Sequence, residues 1–207
     1  MNALTSFDEV LATTRSVRRQ LDFERPVATQ LILDCIDLAV QAPTGLPAEN
    51  WRFVVVRDPT RKAALAELYA ATLERLASDR GIAIKPTQRA LVARLHEMPA
   101  LIFVCAQATP PLEEVGSQIA FYGSILPAAW SLMLALRARG IGTTWTSLLA
   151  ARQEEVGQLL KLPAGAIHTV MLPVAYMKDA RLRPAERMRA DEVAFADVWG
   201  VPFTAPD

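Results

Sequence analysis

Between Gly116 and Leu136 the chain reads GSQIAFYGSILPAAWSLMLAL without one charged residue, and Arg137 and Arg139 follow closely. A membrane-spanning helix needs about 20 such residues and commonly has a positive flank on the cytoplasmic side. The length suits that reading. Ser117, Gln118, Gly123, Ser124, Pro127 and Ser131 interrupt the stretch, however, and small residues recur along it. A helix apolar on every side is also what the centre of a large core, or an interface between two subunits, requires. Nothing else in the chain suits a membrane, so the buried helix is the expectation and the single span the alternative.

With 207 residues the chain is long enough to bury a substantial core as one domain, 1–207. Lys and Arg number 22, as do Asp and Glu, so no net charge draws the protein towards nucleic acid or an anionic membrane. Cys35 and Cys105 lie in the apolar contexts LILDCIDLAV and ALIFVCAQ, with no CxxC and no metal-ligand spacing. Buried thiols in a reducing compartment are expected, and no metal. The stretch MNALTSFDEVLATTR has no basic start followed by an apolar run, so it is not read as a secretory signal, and the cytoplasm is the expected address.

Helices and strands alternate along the chain without repeats or a linker. Ser6 and Glu9 form a capping box that opens a first short helix, and Thr29 is placed to cap a second, ended by Pro43. WRFVVVR, 51–57, reads as a strand; Asp58 and Pro59 turn it into a helix over 60–79, and another helix runs over 86–97. ALIFVCA, after Pro99, is a near-continuous apolar strand of the kind buried on both faces. The uncharged helix, the segment IGTTWTSL, a helix near 152–161, the strand HTVMLPVAY and an arginine-rich tail complete the chain. The fold class is α+β or mixed α/β, with helices covering a small central sheet.

His96 and His168 have no cysteine partner or paired acid at catalytic spacing and read as structural rather than catalytic. The chain has no GxSxG, HExxH, Walker loop or GxGxxG. An enzyme without its own nucleophile or metal commonly borrows an organic cofactor. Arg15, Ser16, Arg18 and Arg19 form a cationic group whose fork-shaped donors suit a phosphate; a solvated cluster at a helix end is the competing reading. Arg181, Arg183, Arg187 and Arg189 form a second group near the other terminus, either a partner in holding one anion or a solvated tail.

TRSVRR, APTGLPAENWRFVVV, the apolar helix leading into GIGTTWTSL, HTVMLPVAY and ERMRADEVAFADVWG occur in this order over nearly the whole chain. Together they resemble the FMN-dependent nitroreductase family. The resemblance implies an intertwined homodimer with two FMN sites at the interface, which would account for the uncharged helix. It implies that Arg15 and Ser16 hold the FMN phosphate and ribityl chain, that Arg18 approaches the phosphate or the pyrimidine end of the flavin and stabilises its reduced form, and that Arg187 reaches the phosphate. Pro43, Thr44 and Gly45 match a loop contributed by the partner subunit, and Thr146 and Ser147 fall where a backbone N–H meets flavin N5. A loop lying against a flavin needs a fixed path and close approach, which Pro43, Pro47 and Gly45 supply.

Thr14, Pro47, Glu49 and Ala185 depart from the family pattern, with consequences for FMN retention and for anionic substrates. The implied reaction is a ping-pong hydride transfer from NADH or NADPH, through the flavin, to a nitroaromatic or quinone. Reductive dehalogenation, flavin-linked dehydrogenation including cobamide-precursor chemistry, and a flavin-binding module without turnover are the alternatives.

Overall fold

A computed structural model describes residues 6–45, 50–111, 113–179 and 181–203. The first helix, α1 (Phe7–Thr13), is capped by Ser6, whose hydroxyl accepts from the Glu9 amide. A short strand β1 (Leu21–Asp22) precedes α2 (Thr29–Ala39). The expected cap at Thr29 does not form. Ala28 occupies the cap position without a side-chain bond, while the Arg57 guanidinium donates to Thr29 Oγ1 and to the Val27 carbonyl, both at 2.7 Å. A tertiary cation has taken the hydroxyl that the local motif would use.

Strand β2 (Trp51–Val56) leads through Asp58 into α3 (Pro59–Asp79); the Asp58 carboxylate accepts from the Arg61 amide and Pro59 opens the first turn. The helix expected over 86–97 is α4 (Pro86–Arg94) continued by one 3₁₀ turn, Leu95–Glu97. Strand β3 (Ala100–Ala106) is buried at every position. Its residues alternate between two cores. Ala100, Ile102, Val104 and Ala106 face α2, α5 and α6, whereas Leu101, Phe103 and Cys105 face α3, α4 and α7. Helices on both faces explain the unbroken apolar run.

The uncharged stretch is two helices, α5 (Val115–Gly123) and α6 (Leu126–Arg137), rather than one. The Ser124 hydroxyl donates back to the Ala120 carbonyl at 2.8 Å, Ile125 departs to φ −115°, and Pro127 lies in the first turn of α6. Helix α6 buries Ala128, Ala129, Leu132, Met133, Ala135 and Leu136, while on α5 Val115 and Ile119 are about 70% and 67% exposed.

Strands β4 (Ile141–Thr143) and β5 (Ile167–Met177) follow, with α7 (Gln153–Leu160) between them and the short α8 (Ala190–Val193) in the tail. The sheet is antiparallel with order β1-β5-β3-β2, and β4 also pairs with β5. Both cysteines are free and buried, as expected; burial pushes the thiol of Cys35 up to about 11 and that of Cys105 up to about 12.

Candidate active site

The short strand β4 gathers the sequence motifs. After α1 the chain runs extended from Thr14, and Ser16 bridges Thr143 in parallel. The Val17 amide donates to the Thr143 carbonyl at 2.8 Å, and the Thr144 hydroxyl donates to the Val17 carbonyl at 2.8 Å. Gly142 makes this approach possible, because a Cβ there would lie 3.2 Å from Val17 Cβ and 2.9 Å from side-chain atoms of Leu21 and Met177. The segment carrying Arg15, Ser16 and Arg18 is thereby laid beside Thr144 to Ser147.

Ser16 Oγ accepts from the Trp145 amide at 3.1 Å, which leaves the hydroxyl proton for a ligand. The Thr14 hydroxyl donates to the Val10 carbonyl at 2.6 Å and is turned away. Of the two amides expected near a cofactor, Thr146 N–H is committed to the Met171 carbonyl at 3.2 Å. Ser147 N–H has no acceptor among the described residues, and Ser147 is exposed. The pair therefore divides into a structural member and an available donor.

Three adjoining cavities surround this strip. One of about 670 Å³ is lined by Arg15, Ser16, Tyr122, Leu126, Trp130 and Trp145, among others. A second, about 530 Å³, lies under α3 and includes Arg18, Tyr69, Thr72, Trp145, Thr146 and Ser147. A third, about 290 Å³, includes Trp145, Ser147, Gln153 and His168. Trp145 borders all three. Its place between the threonines of TTWTSL is the one sequence signal that points to it. The α3 wall carries no comparable signal, because its residues recur at ordinary helical spacing.

The remaining expected residues lie outside these cavities. Pro43, Thr44 and Gly45 are exposed; the Gly45 amide donates to Ser124 Oγ at 2.9 Å, docking the loop against the α5–α6 junction. Pro47 and Glu49 lie outside the described residues. Arg187 is exposed, and among the described residues its guanidinium meets the Glu186 carbonyl alone, at 3.3 Å. The tail does approach the site one step earlier, where Arg15 Nε donates to the Arg183 carbonyl at 2.7 Å.

His168 is buried and held within the fold beside the site. Its Nε2 lies 2.8 Å from the Leu149 carbonyl, which can only accept, so Nε2 carries the proton. Gln153 grips the His168 backbone at both its amide and its carbonyl, at 3.1 and 2.8 Å. Burial lowers the imidazole's pKa, opposed in part by the Leu149 bond. The 3₁₀ turn Leu148–Ala151, which follows Ser147, is thus tied to β5.

The Arg15 guanidinium and Ser16 hydroxyl in one cavity, the Arg18 guanidinium and Ser147 amide in the next, and the aromatic wall between them make a donor set suited to a planar ligand bearing a phosphate. No group of acidic, cysteine or histidine residues suited to a metal occurs among the described residues.

A family model described as the nitroreductase family matches residues 11–176. A protein of Methanothermobacter thermautotrophicus, provisionally named an NADH dehydrogenase/NAD(P)H nitroreductase, is 26% identical over 170 residues, covering 81% of this chain and 75% of that protein. The iodotyrosine deiodinase of Drosophila melanogaster is 30% identical over 181 residues; the match covers 83% of this chain and 62% of that protein's length. A crystal structure of oxidised iodotyrosine deiodinase bound to FMN and 3-iodo-L-tyrosine superposes with a TM-score of 0.67 at 20% identity, covering 89% of this chain and 96% of that one.

Proposed function

Because the chain belongs to the nitroreductase family, we propose that it is an FMN-dependent oxidoreductase that takes hydride from NADH or NADPH and passes it to a nitroaromatic or quinone acceptor. The observation that carries this reading is the strip built by the Ser16–Thr143 bridge, on which Arg15 and Ser16 line one cavity, Arg18 and Ser147 line a neighbouring one, and Trp145 borders both. These residues suit FMN. Arg15 and the Ser16 hydroxyl would hold the phosphate and ribityl chain, and Arg18 would oppose negative charge on the pyrimidine edge. The Ser147 N–H would orient N5, and Trp145 and Leu126 would exclude water from the ring. When bound, FMN supplies a two-electron store that accepts hydride from the nicotinamide and returns it to the acceptor.

The reading includes a homodimer whose interface completes each site, with Pro43, Thr44 and Gly45 and the Arg187 tail contributing there. Apolar residues left uncovered on the single chain support it: Val115, Ile119 and Trp130 on the α5–α6 face, and Trp199, 92% exposed, and Phe203 in the tail. Sedimentation is expected to give a flavin-loaded dimer, and a stable flavin-loaded monomer would exclude it.

A second reading, reductive dehalogenation, is favoured by the 30% identity with the Drosophila deiodinase. Anaerobic nicotinamide oxidation with a nitroaromatic, a quinone and 3-iodo-L-tyrosine as separate acceptors discriminates between them. Turnover with the first two supports the reductase; iodide release alone would replace it with the dehalogenase. A flavin that neither NADH nor NADPH reduces would leave a binding module.

A further inference from the structure

The cavity beneath α3 carries two cations that the flavin reading leaves unused, Arg75 and Arg80. Arg18 enters from the α1–β1 segment, and Arg75 and Arg80 enter from the last turns of α3; the acid among its lining residues is Asp79. Across the whole chain acids and bases balance at 22 each, so the local excess reflects the placement of these residues. Among the described residues none of the three guanidiniums makes a hydrogen bond or ion pair. Arg75 acts at a distance on Glu155, whose carboxyl is held low chiefly by its bond from Arg152. Arg75 and Asp79 are spaced one helical turn apart yet do not pair. The same cavity is lined by Ser147, Trp145 and two hydroxyls, those of Tyr69 and Thr146, whose oxygens are 3.2 Å apart.

We propose that this cavity is an anion-selecting subsite, in which Arg75 and Arg80 receive the negatively charged group of an aromatic ligand whose ring lies against Trp145. Guanidinium forks match carboxylate and phosphate oxygens, and Arg75 and Arg80 on the wall of a cavity of about 530 Å³ that Arg18 also borders raise the local concentration of anions. The anionic group could come from an acceptor, as the carboxylate of an aromatic acid, or from a reductant, as the extra phosphate of NADPH. The proposal rests on the oxidoreductase reading only for what happens beside Ser147; the binding itself does not require turnover.

Calorimetric titration of the purified protein, with and without added FMN, tests it. The probes are 4-nitrobenzoate against 4-nitrobenzyl alcohol, and NADPH against NADH. Tighter binding of the anionic member of either pair, lost by roughly tenfold in the Arg75→Gln/Arg80→Gln variant and weakened by salt, supports the subsite and identifies its source. Asp79→Asn is expected to change affinity in the opposite direction, by about twofold to threefold. Equal affinity within both pairs, or a preference that survives in the double variant with its circular dichroism unchanged, overturns the proposal. A protein that discriminates between the anions but takes up no FMN would keep the subsite and refute the flavin reading.

Discussion

Replacing Gly142 by alanine tests whether the arm carrying Arg15, Ser16 and Arg18 is held against β4 as described. The added methyl would lie 2.9 Å from Leu21 Cδ2, 2.9 Å from Met177 Cγ and 3.2 Å from Val17 Cβ. Leu21 can move its terminal methyl, but Val17 Cβ is fixed to the backbone that bonds Thr143, so the arm must shift. Overpacking of this kind costs about 1–3 kcal/mol. For a chain of this size that lowers the melting temperature by roughly 2–12 °C. Each polar contact on the displaced arm is worth a fraction of about 1 kcal/mol net, so FMN affinity is expected to fall about threefold to tenfold. Thermal melts by circular dichroism and an FMN fluorescence titration read both effects. In a Leu21→Ala background the melting penalty of Gly142→Ala should shrink, because that side chain no longer crowds the methyl. Unchanged melting and unchanged FMN affinity in the single variant would refute the packing of arm on strand.

Ser147→Ala should leave flavin reduction within about twofold of wild type, since the backbone amide is the donor, whereas Ser147→Pro should slow it by about tenfold or more in stopped-flow measurements; the reverse order would assign the role to the hydroxyl. Cys35 and Cys105, raised by burial to about 11 and about 12, should resist a disulfide-exchange reagent near pH 8 until the protein is denatured. Rapid native labelling would contradict their burial. His168 holds its proton less tightly folded than unfolded, because burial outweighs the Leu149 bond. Its contribution to stability is therefore complete above its ordinary 6.5 and is lost as the pH falls below that. Denaturant midpoints should decline on acidification in wild type and less so in His168→Leu; parallel declines would remove His168 as the cause.

Features set by neighbours in sequence were legible before the fold was known. Asp58 and Pro59 start α3 with groups adjacent in the chain, and the apolar run of β3 reads as two-sided burial because helices cover both faces. Features set by distant neighbours were not. Thr29 loses its capping role to Arg57, 28 residues away. The uncharged stretch reads as one helix because neither the Ser124 back-bond nor the effect of Pro127 leaves a pattern in hydropathy. At the site, the Arg-Ser motif was visible, but its pairing with Thr143 spans more than a hundred residues. The division of labour between the amides of Thr146 and Ser147 depends on Met171 in β5. The charge of the α3 cavity arises because Arg18 and the end of α3 meet in space, which no spacing encodes.

The most direct test of the central claim is the visible absorbance spectrum of the purified protein, supplied with FMN and titrated anaerobically with NADH and NADPH. Flavin bands retained through desalting, a chromophore identified as FMN on release, and bleaching by at least one of the two nicotinamides are expected. A colourless protein that takes up no added FMN would contradict the claim.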